Sequence, residues 1–384
     1  MGRILSRIEV GPLLALFRRK PGRGRPPFDR LPILYAFLAC YPLNIQSISN
    51  LVDRLNNDPA LRNACGFRGR IPHRSTFSRT FSVLAEHRPL FYEIFEELTR
   101  QILAFNPSMG TLLAVDASTV PAWSNPNRDR HRDQEAAFTK AHSASTVNKD
   151  GMVWVYGYKL HLLACTEQAL PLAFYVTPAN QNDGPTLPNL FDMTLGSYPE
   201  LKPYAVMADR AYDGRPNNSF LNDQGVAAII PRRRTVNREE NRHVYTVKGI
   251  PQCMGGKQME YTGTHPETGE HGFRCPLEGC HRLDAGLKYT VPCDDVIWES
   301  PTENVYEVGG RVARASPEWQ ELYGKRWEIE RYFGLLKNNG WVENHRFRGQ
   351  ARVDLHITLA VLMFQAAALD RMAGDTIQAP LRGL

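Results

Sequence analysis

The sequence of 384 residues predicts an α/β fold, in which a small helical domain comes first and an inserted subdomain interrupts the later part. Three observations support this. Apolar residues recur at helical spacing early in the chain, short apolar runs typical of buried strands follow, and a long polar interval then precedes the last helices. A hydrophobic content of 42% and a charged content of 22% are ordinary for a globular protein of this length.

Residues 1–30 form a basic arm that carries the whole net charge of +6. Eight lysines and arginines in this arm stand against Glu9 and Asp29, while the rest of the chain is balanced. Such an arm is the electrostatic signature of a polyanion partner, and nucleic acid is the commonest of these. A solvated tail is the alternative interpretation.

Residues 31–106 predict a small helical domain. The segments "LPILYAFLACYPL", "ISNLVDRL" and "FYEIFEELTRQILAF" place apolar residues at helical spacing. In "RGRIPHRSTFSRTFSVLAEH", Ser75 is expected to cap an amphipathic helix. Arg74 and Arg79 lie near the start of this helix, so we expect them to contact DNA, on the basis of local charge alone.

Residues 107–230 predict successive strands and helices. The segments "TLLAVDAS" and "YAVMADRAYDG" each contain a short apolar run that ends in an aspartate, Asp116 and Asp209. Between them, "MVWVYGYKLHLLACTEQALPLAFYVT" indicates further strands and "NDGPTLPNLFDMTLG" a loop and a helix. The segments "RPNNSFLNDQG" and "VAAII" then predict one more helix and one more strand.

The two aspartates indicate a binding site at the edge of a sheet, because ligands of open α/β sheets collect where strands end. Two neighbouring carboxylates repel each other unless they are protonated or share cations. Hard divalent cations such as Mg²⁺ prefer oxygen ligands and would resolve that conflict. The alternative is that each aspartate only caps its strand or the following turn. Lys159 and His161 alternate onto one strand face and are expected to approach this site, although a strand histidine is more often structural.

Residues 231–317 are polar and predict an inserted subdomain, since an unstructured connection of this length is unusual in a compact protein. The insertion opens with a basic run that either contacts the DNA backbone or is a solvated loop: Arg232, Arg233 and Arg234. It also holds four of the seven cysteines, which would either bind structural Zn²⁺ or remain plain thiols: Cys253, Cys275, Cys280 and Cys293.

Several classes of protein are excluded by the sequence. No secretory signal precedes the seven cysteines, which predicts a reduced, intracellular protein. The segment "ITLAVLMFQAAAL" is too short to span a bilayer and predicts a buried core helix over residues 353–372. The sequence contains no P-loop, no dinucleotide-binding glycine motif and no H-E-x-x-H, so we expect neither a membrane partner nor a nucleotide cofactor.

The segment "LYGKRWEIERYFGLLKNNGWVENHRFRG" predicts one amphipathic helix. At about 100° per residue, one arc of roughly 60° contains Tyr323, Arg326, Glu330 and Lys337. An apolar stripe beside this arc would dock the helix on the sheet, whereas Glu328 points to nearly the opposite side. A simple ion pair between Arg326 and Glu330 is the alternative, but it does not explain why Tyr323 and Lys337 share that face.

The spacing Tyr323-x2-Arg326-x3-Glu330-x6-Lys337 resembles the Y-R-E-K signature of DDE transposases from bacterial insertion sequences. The blocks "VDAS", "ADRAY", "GYKLHLLA" and "TPANQNDG" are also similar to that family, so the resemblance covers roughly residues 110–372. The helical N-terminal part is similar to the DNA-binding domain that many such transposases carry.

The resemblance implies a ribonuclease-H-like mixed sheet flanked by helices, with residues 318–384 as the second part of the catalytic core. Three carboxylates would hold two Mg²⁺ ions, for which Mn²⁺ could substitute: Asp116, Asp209 and Glu330. Three further side chains would grip DNA phosphate: Tyr323, Arg326 and Lys337.

Such an enzyme would cut the ends of its mobile element and join them to target DNA. It would act on double-stranded DNA as a homo-oligomer, in the bacterial cytoplasm at the nucleoid. A metal-dependent nuclease of the same fold, and a domesticated DNA-binding protein without catalysis, are the alternatives. The last alternative predicts a missing carboxylate, whereas all three are present.

Overall fold

The computed structural model describes residues 1–17, 28–106, 108–127, 132–142, 152–233, 245–246, 248–253, 257–275, 296–338 and 342–374. In the first part of the chain these residues form helices, as predicted for residues 31–106, and two short helices also lie in the basic arm, where none was predicted. The helices are α1 (Gly2–Leu5), α2 (Leu14–Phe17), α3 (Leu31–Ala39), α4 (Ile48–Asn57), α5 (Pro59–Ala64), α6 (Arg74–Ala85) and α7 (Arg88–Phe105).

The expected cap of α6 is wrong by two residues. The helix already begins at Arg74, and the extended residue before it, His73, is the N-cap. The Nδ1 atom of His73 accepts a hydrogen bond from the backbone N–H of Ser75 at 3.3 Å. An imidazole nitrogen thus fills the acceptor role that we had assigned to a hydroxyl.

A mixed sheet forms the centre of the protein. Its strands are β1 (Leu112–Pro121), β2 (Ala137–His142), β3 (Met152–Cys165), β4 (Leu170–Pro178), β5 (Ala205–Ala208) and β6 (Ala227–Ile229), with α8 (Thr186–Ser197) and α9 (Arg215–Asp223) between the later strands. Strand β3 pairs antiparallel with β1, β2 and β4, whereas β5 lies parallel to β1 and β6 parallel to β5. The order β4-β3-β1-β5-β6 confirms the ribonuclease-H-like fold.

The interval between β6 and the last helices contains a folded subdomain. Its described strands form a small antiparallel sheet in the order β7 (Glu260–Thr264), β8 (His271–Arg274) and β9 (Ile297–Glu299), followed by α10 (Val305–Val308). Met259, Phe273 and Val308 form a separate small hydrophobic core here. The insertion thus has apolar contacts of its own, as an inserted subdomain requires.

The segment predicted as one helix before the C-terminus is two helices, α11 (Pro317–Gly324) and α12 (Trp327–Asn338). The backbone N–H groups of Lys325 and Arg326 bond to carbonyls only three residues back, at 2.9 and 3.1 Å. This tighter turn follows Gly324, a poor helix former, and ends α11. The prediction that Tyr323 and Glu330 belong to one continuous helix is therefore wrong.

The last described helix, α13 (Gln350–Gly374), lies inside the protein. Every residue from Val353 to Asp370 is buried, which confirms the predicted core helix. Among the described residues it is the one helix long and apolar enough to cross a membrane, and it is surrounded by protein. Side chains of the N-terminal helices, the sheet and α13 form one continuous hydrophobic core.

Candidate active site

The pairing of β1 with β5 brings Asp116 and Asp209 together. Val115 and Ala208 are register partners in this parallel pair, so the next residue on each strand is an aspartate. Strand β5 ends at Ala208, as predicted, but β1 continues to Pro121, so the prediction that a strand ends at Asp116 is wrong. The antiparallel pairing with β3 carries β1 beyond Asp116.

The carboxylate of Asp209 is fixed by the turn that follows it. Its Oδ1 atom accepts a hydrogen bond from the Ala211 N–H at 2.8 Å. Arg233 then binds this turn from outside, because its guanidinium donates to the carbonyl oxygens of Arg210 at 2.9 Å and of Ala211 at 2.6 Å. Arg233, predicted as a DNA contact, therefore also positions the backbone beside Asp209.

Arg326 joins the remaining acidic residue, Glu330, to the pair of aspartates. One guanidinium nitrogen of Arg326 lies 3.5 Å from Oδ2 of Asp116, and another is bonded to Oε1 of Glu330. The side chains of Arg326 and Asp116 are less than one-fifth exposed, whereas that of Glu330 is 53% exposed. The guanidinium therefore bridges the sheet and α12.

The carboxyl groups of this site are electrostatically strained. Burial raises the pKa of Asp116 to about 7, and the charges of Asp209 and Glu330 act in the same direction. The Ala117 N–H and Arg326 offset part of this rise. Burial also raises the pKa of Asp209. The site thus lacks the counter-charge that would hold the pKa of both carboxyl groups in its ordinary range.

Sequence reasoning missed a fourth carboxylate, Asp183. Lys159 donates to Oδ1 of Asp183 at 2.8 Å, and Nδ1 of His161 lies 3.8 Å from the same oxygen. His161 pairs with Ala117 in the ladder, so it and Lys159 lie on the sheet face opposite to that of Asp116. The charge of Asp183 nevertheless contributes to the raised pKa of Asp209. Lys159 and His161 were predicted to approach the site. They contact Asp183, in the block "TPANQNDG", and act on the site through this carboxylate.

The other signature residues have separate partners. Tyr323 stacks on the ring of Trp319, with centroids 5.0 Å apart, and Arg326 lies 5.8 Å from the Tyr323 ring. Lys337 forms an ion pair with Glu343 at 2.8 Å, away from Arg326. Arg326 thus contacts both Tyr323 and Glu330, whereas Lys337 pairs separately with Glu343. Glu328, predicted to face away, pairs with Arg331 at 2.7 Å.

The predicted DNA contacts outside the signature lie in different settings. Arg74 and Arg79 are exposed on α6. Arg232 is buried, 5.2 Å from the ring of Tyr306, and donates to the carbonyl of Thr246 at 3.4 Å, so its guanidinium faces protein. Three further predicted residues lie outside the described residues: Arg234, Cys280 and Cys293.

The described residues contain no group of three Asp, Glu, His or Cys side chains close enough to hold one metal ion. Asp116, Asp209 and Glu330 surround the Arg326 guanidinium instead of a common point. Their donor chemistry still fits Mg²⁺ or Mn²⁺, because all the donors are carboxylate oxygens. Cys253 and Cys275, predicted as zinc ligands, are free thiols, the first half-buried and the second buried.

Two protein-family models match this chain and identify the family to which it belongs. The model of the family described as Transposase DDE domain matches residues 107–364, and that of Transposase domain (DUF772) matches residues 3–82. The chain belongs to the DDE transposase domain family. Members of this family use divalent metal ions, in keeping with the carboxylate donors of the site.

Individual proteins resemble this chain to different extents. A protein described as a putative transposase for insertion sequence element IS402, from Burkholderia cepacia, is 35% identical over 80 residues. That match covers 20% of this chain and 38% of the relative. The cryo-EM structure of the piggyBac transposase synaptic complex with hairpin DNA is similar at a TM-score of 0.45 and 12% identity, over 98% of this chain and 75% of that one.

Proposed function

We propose that this DDE transposase cuts DNA at the ends of a mobile element and joins those ends to target DNA. The observation that supports this best is the pairing of β1 with β5, which sets Asp116 beside Asp209 while Arg326 connects Glu330 to the same place. Three carboxylates in a DDE transposase domain, on elements that are far apart in the sequence, serve phosphoryl transfer to DNA better than any structural role.

Asp116, Asp209 and Glu330 would hold Mg²⁺, with Mn²⁺ as a substitute. When bound, a pair of such ions activates the attacking oxygen and stabilises the leaving oxygen of a phosphodiester. Burial raises the pKa of Asp116 to about 7, so cation binding would release a proton from this carboxyl group near neutral pH. The Arg326 guanidinium would then leave its carboxylate partners and become available to a DNA phosphate.

Four further predicted contacts, in the signature helices and on α6, support the same function. Tyr323 limits where the Arg326 guanidinium can move, because the two groups are in contact. Lys337 would bind phosphate after release from Glu343, and Arg74 and Arg79 would contact DNA from α6. The protein would act on double-stranded DNA as a homo-oligomer, in the bacterial cytoplasm at the nucleoid. The helical part 31–106 would be the DNA-binding domain, and the parts 107–230 and 318–384 the catalytic core.

Structural zinc in the insertion, residues 231–317, is a separate part of the proposal. Its ligands would be four thiolates: Cys253, Cys275, Cys280 and Cys293. Metal analysis of the purified protein decides this point directly. Less than half an equivalent of zinc per chain would refute the zinc site and leave the catalytic proposal intact.

The catalytic proposal is tested with the purified protein and a DNA fragment that bears the ends of the element. Cleavage is expected with Mg²⁺ or Mn²⁺ and not with EDTA. Glu330→Gln should abolish cleavage and retain DNA binding, and Asp116→Asn and Asp209→Asn should do the same. Glu328→Gln is the matched control on the same helix and should cut at nearly the wild-type rate, because among the described residues the ion-pair partner of Glu328 is Arg331, outside the site.

Two outcomes would contradict the proposal. A Glu330→Gln variant that nicks DNA at the wild-type rate removes Glu330 from the site. Cleavage without any joining of the freed 3′ ends to a second DNA molecule identifies the protein as a nuclease of the same fold instead.

A further inference from the structure

A polar groove of about 390 Å³ lies between the N-terminal helices and the catalytic core. The start of α4 and the exposed side of α6, with Ser78 and Ser82, line one wall. The other wall consists of Trp123, which follows β1, and three arginines between α12 and the start of α13: Arg346, Arg348 and Arg352. None of the described residues that line the groove is acidic.

The three arginines present their charge to solvent. All three are exposed, and none forms a salt bridge with any described residue. The Arg346 guanidinium lies 5.2 Å from the ring of Trp123, and Nε of Arg348 donates to the Trp123 carbonyl at 3.1 Å. Trp123 itself is 49% exposed. Unpaired guanidiniums beside an exposed aromatic ring are the groups that nucleic-acid backbones and bases contact.

The segment that carries two of these arginines is held rigidly from behind. The buried carboxylate of Asp133 accepts hydrogen bonds from the Tyr158 hydroxyl at 2.8 Å and from the Gly349 N–H at 2.9 Å. On the other side, Phe347 stacks on Phe81 of α6 with centroids 4.1 Å apart and ring planes only 6° apart. The carboxylates of Asp133 and Glu135 thus bind the backbone N–H groups of Gly349 and Gln350, and the arginines are preorganised for an external anion.

Both walls of the groove extend elements of the active site. Trp123 follows Asp116 by seven residues, which is roughly 20 Å along a strand at about 3.3 Å per residue. The arginine segment directly follows α12, the helix that carries Glu330. DNA held at the carboxylates would therefore reach the groove about six base pairs away, at about 3.4 Å per base pair.

We propose that this groove binds the sugar-phosphate backbone of duplex DNA next to the cleaved end. Arg346, Arg348 and Arg352 contact successive phosphates of one DNA strand. The ring of Trp123 packs against the same DNA strand between these phosphates. The spacing of two arginines on alternate residues suits a repeating anion better than a single phosphate. This inference rests on the proposed function, since it takes the DNA of that reaction as the ligand.

The test is the salt dependence of DNA binding by the double variant Arg346→Gln/Arg352→Gln. Affinity for a duplex with the element end is measured in EDTA, without cleavage, between about 50 and 200 mM salt. Loss of two phosphate contacts should reduce the slope of log affinity against log salt by about 2. The matched control is Arg54→Gln/Arg100→Gln, which removes two exposed arginines that already pair with acidic residues outside the groove and should keep the wild-type slope.

A second measurement uses Trp123 directly. DNA binding should quench part of the tryptophan fluorescence of the wild type, and Trp123→Phe should lose that part while its melting temperature stays the same. If the double variant Arg346→Gln/Arg352→Gln is folded and keeps the wild-type salt slope, the proposal that the groove binds DNA is wrong. The catalytic proposal is unaffected by that result. Tighter binding of duplex RNA with the same arginine dependence overturns DNA as the ligand. A wild-type protein that neither binds nor cuts the DNA overturns both.

Discussion

The Arg326 guanidinium lies 3.5 Å from the carboxylate of Asp116, inside the group of acidic side chains assigned to metal binding. The charges of Asp116 and Glu330 raise the pKa of Arg326 more than its burial lowers it. The protein thus supplies its own cation to the proposed metal site, and metal ions would compete with Arg326 for the same carboxylates.

Arg326→Gln is expected to destabilise the protein in EDTA by roughly 1–2 kcal/mol, because the remaining carboxylates lose a partly buried counter-ion. The same variant should gain more in melting temperature on addition of Mg²⁺ than the wild type does. Thermal unfolding with and without Mg²⁺ measures both effects. Arg331→Gln, which breaks the pair with Glu328 on α12, serves as the control. An equal Mg²⁺ response in all three proteins would argue against competition.

The pH dependence of stability should report the raised pKa of Asp116. In EDTA, the folded protein keeps this proton up to about pH 7, whereas the unfolded chain releases it near the ordinary aspartate pKa of 3.8. Between these values the unfolded state binds fewer protons, so the unfolding free energy falls as the pH rises. Urea denaturation across this range should show a steeper fall for the wild type than for Asp116→Asn. Parallel curves would show that Asp116 is ionised in the folded state.

Asp183→Asn is expected to weaken metal binding without removing a ligand. A carboxylate near Asp209 attracts divalent ions through space, although its pairing with Lys159 reduces this effect. The Mg²⁺ concentration for half-maximal cleavage should therefore rise by roughly three- to tenfold, with a smaller effect on the rate at saturating Mg²⁺. Asp192→Asn, an exposed aspartate on α8, should leave both values unchanged. Complete loss of cleavage at saturating Mg²⁺ would instead identify Asp183 as a ligand.

Arg88→Met should destabilise the whole protein. Asp354 of α13 is fully buried and pairs with Arg88 of α7, and burial raises its pKa to about 6 despite that partner. An unpaired Asp354 should cost about 2–3 kcal/mol of unfolding free energy at neutral pH. The loss should shrink at pH 5, where a proton neutralises Asp354 in the variant. The control Arg54→Met breaks an exposed pair and should cost less than about 1 kcal/mol, as urea denaturation of both variants can show.

Local patterns in the sequence were sufficient to predict much of the fold. The runs before Asp116 and Asp209 consist of buried apolar residues, and α13 is apolar over most of its length. Strand β2 was missed, because its outward residue Phe138 is exposed and its pairing with β3 depends on tertiary contacts. The break at Arg326 was also missed, since helical periodicity continues through a single tight turn.

The site was predictable only in part, because its geometry also depends on tertiary contacts. Residue types and spacing indicated the three carboxylates, but not that Arg326 would bind two elements at once, because this depends on how α12 docks on β1. Asp183 lies in a loop and became visible only through its distance to Lys159. The groove between Trp123 and Arg352 joins parts of the chain that are more than two hundred residues apart.

The burial of α13 also sets the order of events on the ribosome. Helices α1, α3, α6 and α7 pack against α13, which is synthesised about 245 residues after Phe105. At about 5–20 residues per second, those helices wait roughly 12–50 s for their packing partner. During that delay the apolar surface that α13 covers in the folded protein stays exposed. A message truncated before α13 therefore leaves these four helices without their packing partner.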